Sequence, residues 1–166
     1  MIECTGVPTD DLVRKVFPSI ERVNQGPVAV IECYQNIPCN PCSTSCIRKA
    51  MHYMNDINDL PSLDENRCNG CGICMSKCPG LAIMVVDGSL SEEEVLFRIP
   101  YEFLPLPTNG DIVEGLNRNG DYITDVKVVR VQNQKSFDRT AIIDVVVNRD
   151  LLYDFRNIRM GGKSHE

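Results

Sequence analysis

No apolar run in this 166-residue chain approaches the ~18 residues that a membrane-spanning helix needs, and its first residues lack the basic and apolar regions of a secretory leader. The first absence excludes a spanning helix, and the second leads us to expect a soluble cytoplasmic protein. Positive charge is also in short supply. Seventeen Lys and Arg stand against 23 Asp and Glu, a net charge of -6 at pH 7, which argues against nucleic acid as a partner. Histidine occurs only twice, and from Ser91 onward cysteine is absent. That region holds no grouping of His, Ser or Cys able to pair a nucleophile with a base, so no catalytic residues are assigned there. With 43% hydrophobic residues the chain can form one or two small domains.

What the chain has instead is nine cysteines, all in its first half. The stretch Cys68-Asn69-Gly70-Cys71-Gly72-Ile73-Cys74-Met75-Ser76-Lys77-Cys78-Pro79 reads C-x2-C-x2-C-x3-C-P, the spacing that holds four-iron clusters. Three thiolates on one tight loop can cap three irons of a cubane. The fourth, carried away by the turn at Pro79, reaches a different cluster, so a second one is required nearby. Upstream, Cys33, Cys39, Cys42 and Cys46 are spaced C-x5-C-x2-C-x3-C, and 21 residues separate the two runs. Zinc is the rival metal, because C-x2-C pairs also make tetrahedral sites; zinc ribbons, however, use two separated pairs with no third cysteine three positions on. Disulfides fit less well still, since C-x2-C loops are poor structural bridges. Cys4 has no partner in this count and reads as a free thiol.

The two runs, the second followed by Gly80-Leu81-Ala82-Ile83, resemble the two-cluster bacterial ferredoxins from about Val28 to Val86. Carried over residue by residue, the resemblance implies two [4Fe-4S] clusters, one on Cys33, Cys39, Cys42 and Cys78, the other on Cys68, Cys71, Cys74 and Cys46. The first run departs from the pattern twice: Asn36 stands where the first cysteine usually stands, and Ile47 replaces the usual proline after the fourth. Cys33 then supplies the missing thiolate through a longer loop. The alternative is a buried free cysteine ending the strand Val28-Ala29-Val30-Ile31, which would leave a three-iron cluster.

Gly70 and Gly72 let the backbone curl close to the inorganic sulfurs, where amide N-H groups stabilise cluster charge. Pro38, Pro41 and Pro79 stiffen the loops, and Leu81 to Val86 helps to exclude water. An iron–sulfur domain of roughly 60 residues is too small to depend on its apolar core alone, so the region is expected to unfold without metal. Each oxidised cluster with four thiolates adds about -2, which takes the holoprotein to roughly -10. Exposed-cluster chemistry of this kind points to an anaerobic or microaerobic setting.

The fold expected is α+β, a ferredoxin-like dicluster domain followed by a small antiparallel β-barrel or curled sheet, in three zones. Residues 1–27 form a helical appendage: Pro8-Thr9-Asp10-Asp11 starts a helix, Leu12, Val13, Val16 and Phe17 give it an apolar stripe, and Pro18 stops it. The stripe either docks on a neighbour or covers the chain's own core. Residues 28–90 carry the clusters, with a short helix over Ile47–Tyr53, an irregular segment over Asp56–Glu65, and His52 as a surface or packing residue. Residues 91–166 alternate branched and polar residues in strand patterns over Glu94–Ile99, Asp125–Val131 and Thr140–Val147. Asn119-Gly120 marks a hairpin, and Leu151–Ile158 a closing helical turn. The arginines at 118, 130, 139, 149, 156 and 159 alternate with acids and read as solvated pairs or subunit contacts.

Four protein thiolates per cubane leave no open coordination position, so one-electron transfer is the expected chemistry. Two clusters with crossed ligands form a short relay suited to a two-electron donor such as a reduced flavin. The stretch from Gly26 to Cys42, with Phe17-Pro18-Ser19 before it and a β-rich tail after, resembles the small iron–sulfur subunits of FAD-dependent proline, hydroxyproline and sarcosine dehydrogenases. That resemblance implies FAD-containing dehydrogenase subunits as partners. A free dicluster ferredoxin shuttling between redox enzymes is the alternative.

Overall fold

The computed structural model describes residues 2–137 and 139–161. Three short helices open the chain: α1 (Ile2–Thr5), α2 (Asp10–Val16) and α3 (Ile20–Val23). Asp10 and Asp11 sit in the first turn of α2 and Arg14 and Lys15 in its last, each matched to the helix dipole, and the helix ends at Phe17 ahead of Pro18. Ser19 caps α3 by accepting a hydrogen bond from the Arg22 amide at 3.2 Å. Val13, Phe17 and Val23 are buried in the same core as the sheet that follows. The N-terminal stripe therefore covers this chain's own core.

Seven strands form one antiparallel sheet: β1 (Val28–Ile31), β2 (Ile83–Asp87), β3 (Glu94–Tyr101), β4 (Ile112–Leu116), β5 (Tyr122–Gln132), β6 (Ala141–Asn148) and β7 (Asn157–Arg159), ordered β1-β2-β3-β6-β5-β4-β7. The hairpin between β4 and β5 turns where expected, with Gly120 at φ 84 and its amide donating to Asn117 O. A 3-10 turn at Arg149–Leu151 leads into β7 in place of a purely helical ending. The sheet is open, with β1 and β7 as its edges, so the barrel alternative does not hold. It is nevertheless strongly curled. Irregular register at Gly115/Leu116 and at Val128/Arg130 accompanies the bend. As a result Glu32, just past β1, meets Arg156, just before β7.

Alternation along the strands sends Val95, Phe97 and Ile99 of β3, Val126 and Val128 of β5, and Ile143, Val145 and Val147 of β6 into the curl, where Phe97 meets Phe155 edge to face at 4.9 Å between centroids. β1 and β2 are buried on both faces. Val28, Val30, Met84 and Val86 join the curled core, whereas Ala29, Ile31, Ile83 and Val85 face the cysteine loops together with Met51, Met54 and Met75. This two-sided burial explains why Val28–Ile31 and Ile83–Val86 read as unbroken apolar runs.

Two one-turn helices lie between β1 and β2: α4 (Pro41–Thr44) and α5 (Ile73–Ser76). The helix expected over Ile47–Tyr53 does not form. Lys49 turns the chain at φ 50, and the segment then runs extended through a bridge between Met51 and Leu63. An extended path carries Met51 and Met54 to the cysteine loops while His52 and Tyr53 stay exposed, a distribution that the apolar spacing alone left open.

Candidate functional site

The cysteine loops leave the end of the sheet where β1 finishes and β2 begins. The Glu32 amide donates to Ala82 O at 2.8 Å, extending the ladder and bringing Cys33 beside the Cys78–Ala82 turn. There Cys33, Cys39, Cys42 and Cys78 line a cavity walled by Ile31, Met54, Pro79 and Ile83. Cys46, Cys68, Cys71 and Cys74 line a second, walled by Ala29, Met51, Leu63 and Ile73. Each of α4 and α5 presents one buried cysteine, Cys42 or Cys74, and stops before the last cysteine of its run. The chain then swings Cys46 into the second cavity and Cys78 into the first. Each cavity is thus lined by three cysteines of one run and the last of the other.

Backbone amides point at these sulfurs. Ala29 and Gly70 donate to Cys68 Sγ at 3.4 and 3.5 Å, Met51 to Cys46 Sγ at 3.5 Å, and Ala82 to Cys78 Sγ at 3.4 Å. Such contacts would stabilise the negative charge of a bound cluster. Burial acts the other way. It raises the Cys33 and Cys42 thiols, with the neighbouring Cys78 and Cys39 sulfurs adding to the rise, and it pushes Cys74 up to about 12, reinforced by Cys68, Cys71 and Cys46. Thiols so placed keep their protons unless a cation replaces them. Among the described residues no three His, Cys, Asp or Glu side chains converge to the spacing of a single metal ion. Four cysteines around each cavity, with no three at single-ion spacing, fit a polynuclear iron–sulfur group better than one zinc.

Gly70 and Gly72 take positive φ, 62 and 80°. The close approach that Gly70 serves is to Pro27: an added Cβ would lie 2.5 Å from Pro27 Cβ, so the loop carrying Cys68 and Cys71 could not seat against β1. Asn36 lies outside the cavity lining and donates through Nδ2 to Asn58 O at 2.9 Å, whereas Cys33 is part of the lining. His52 is exposed and bonded through Nδ1 to Ser62 Oγ at 2.9 Å, and Cys4 is exposed; neither lines a cysteine cavity.

The arginines behind the loops escaped the sequence reading. Arg118 and Arg156, expected as solvated, are largely buried and both bind Glu32. Arg98 binds Asp144 and donates to Gly70 O at 2.8 Å, and Arg22 donates to Cys68 O at 2.8 Å. One signal was present. Asp144 interrupts the run Ala141-Ile142-Ile143-Asp144-Val145-Val146-Val147, and a carboxylate in a buried strand needs a cationic partner.

Comparison with known proteins agrees with this chemistry. The 4Fe-4S binding domain family matches residues 61–84. The ferredoxin-type protein NapF of Escherichia coli K12 is 36% identical over 52 residues, 30% of this chain and 32% of that protein, and NapF of E. coli O157:H7 gives the same figures. Protein Pixie of Drosophila melanogaster is 30% identical over 95 residues, 54% of this chain and 15% of that protein. The chain spans about a third or less of the length of these curated relatives, and no solved structure is significantly similar to it. It therefore contains a 4Fe-4S ferredoxin-type domain with at least one iron–sulfur cluster, and the role that goes with it is electron transfer. Among the described residues no helix is long and apolar enough to cross a membrane.

Proposed function

We propose that this chain is the electron-transfer subunit of a flavin-dependent amine or amino acid dehydrogenase, with two [4Fe-4S] clusters relaying electrons away from the reduced flavin. The observation that carries the two-cluster reading is the pair of cavities, each ringed by three cysteines of one run and the last of the other. A four-iron cubane supplies one-electron chemistry when bound. The chain's own residues do the rest. Cys33, Cys39, Cys42 and Cys78 would hold one cluster, and Cys68, Cys71, Cys74 and Cys46 the other. Ile31, Ile83, Met54 and Met51 keep water from the inner walls, and the amides of Ala29, Gly70, Met51 and Ala82 stabilise the ligand sulfurs. Cys71 is exposed, so the edge of the second cavity reaches the surface, as exchange of electrons with a partner requires. A complete set of thiolates leaves no position for substrate, and no catalytic residue is assigned to the chain itself.

The resemblance of the stretch from Gly26 to Cys42 to dehydrogenase small subunits supports the choice of an FAD-containing partner. Anaerobic purification from its native source is the test. The expected material contains about eight iron and eight sulfide per copy of this chain, together with FAD-bearing subunits whose substrate reduces the clusters. About four iron, or stoichiometric zinc, would overturn the two-cluster reading. Isolation as a monomer that accepts electrons from several unrelated enzymes would replace the subunit reading with that of a free ferredoxin.

A further inference from the structure

Behind each cysteine cavity lies the same construction. On the first, the Glu32 carboxylate, its side chain 5% exposed, is held by Arg118 and by Arg156 at 3.2 Å. Arg156 reaches on through Nη2 to donate to Leu81 O at 2.7 Å, and the Leu81 amide donates to Cys78 O. On the second, the Asp144 carboxylate, 4% exposed, is held by Arg98 at 3.0 Å and Arg130 at 2.7 Å, and Arg98 reaches on through Nη1 to donate to Gly70 O, between Cys68 and Cys71. One buried carboxylate and two guanidiniums leave a net charge of about +1 at each knot, with one arginine of each bonded to the backbone of a cysteine loop.

We propose that Arg98 and Arg156 are positioning residues that mount the two clusters on the curled sheet, and that each raises the reduction potential of its own cluster by setting a fixed positive charge behind it. The inference rests on the two-cluster reading above. Reduction adds a negative charge to an already anionic group. A cation held in a poorly solvated wall stabilises the reduced form more than a mobile surface lysine would, since burial reduces screening. The arginines cannot lose this charge by deprotonation, and their forked donors satisfy the carboxylate and the loop carbonyl at once. Because the two knots stand behind different cavities, their effects separate.

The experiment is a redox titration of anaerobically reconstituted full-length protein, followed by EPR of the reduced state, for wild type, R98Q, R98K, R156Q and R156K. R98Q should lower the reduced-to-oxidised ratio of the second-cavity cluster about tenfold at fixed potential, equivalent to about 59 mV for one electron, and leave the other cluster unchanged. R156Q should do the same to the first-cavity cluster alone. The lysine variants, which keep the charge without the fork, should recover most of the potential though not all of the thermal stability. Should R98Q or R156Q fail to retain its cluster, R130Q and R118Q remove one charge from the same knots without touching the loop carbonyls, and each should lower the potential of its own cluster, R130Q by less because Arg130 is half exposed. Equal shifts in both clusters, or unchanged potentials in variants with full iron content, would overturn the proposal. A wild-type protein holding only one cluster would instead refute the two-cluster reading, and one of the two glutamine variants would then still have to move that cluster while the other did not.

Discussion

Cys33 is the residue on which the first cavity turns. It follows β1 by two positions, lines the cavity and lies close enough to Cys78 and Cys39 to be influenced by their charge, whereas Asn36 is engaged with Asn58 on the neighbouring turn. Replacing it with serine should leave three thiolates around that cavity and four around the other. We expect C33S to show a three-iron EPR signal in the oxidised state that the native protein lacks, and to hold about seven iron per chain in place of about eight. Two intact four-iron clusters in C33S would return Cys33 to the role of a free, half-buried thiol. Its place in the cavity lining was legible in the sequence, because cysteine spacing within one loop is local information. The sequence carried Gly70 only in part: the need for positive φ was legible, but the neighbour that forbids a side chain, Pro27, lies 43 positions away.

At the level of elements, β2 separates two environments within one strand. Val86 is fully buried in the curled core, and its neighbour Val85 is buried on the opposite face, among the residues that back the cysteine loops. V86A should cost about 2 kcal/mol of stability by leaving a cavity, with cluster spectra unchanged. V85A should leave a gap nearer the cysteines and speed cluster loss in air at comparable global stability. Chemical denaturation together with the decay of cluster absorbance distinguishes the two, and identical behaviour would mean that the faces are not independent. Strand positions over Glu94–Ile99, Asp125–Val131 and Thr140–Val147, the turn at Asn119-Gly120 and the α2 boundaries were legible because each depends on local periodicity or a local stop signal. Residues 47–53 were not, since Ala50, Met51 and Met54 are compatible with helical spacing and only their destination in two different walls selects the extended path. The open edge of the sheet was likewise invisible, as closure depends on curvature accumulated over seven strands.

For the whole molecule, one sheet supports both the cysteine loops and the β zone. β2 pairs with β1 on one side and with β3 on the other, and Val28, Val30, Met84 and Val86 are buried by residues that include Phe97, Ile143 and Phe155. The loops are tied to the later part of the chain through Arg98, Arg118 and Arg156. Loss of the β zone and loss of iron should therefore have unequal consequences. Truncation after Asp87 would expose the inner faces of β1 and β2 and remove both arginines that hold the Glu32 carboxylate, so the truncated chain should fail to retain clusters and should aggregate even under anaerobic reconstitution. Chelation of iron from the full chain removes the links among the cysteines but leaves the curled core intact. Hydrogen exchange should then lose protection over residues 33–80 while β3, β5 and β6 remain protected. A truncated chain that holds a full complement of iron would show that the cysteine region folds without its sheet partners, and the β zone would then be free to serve docking alone.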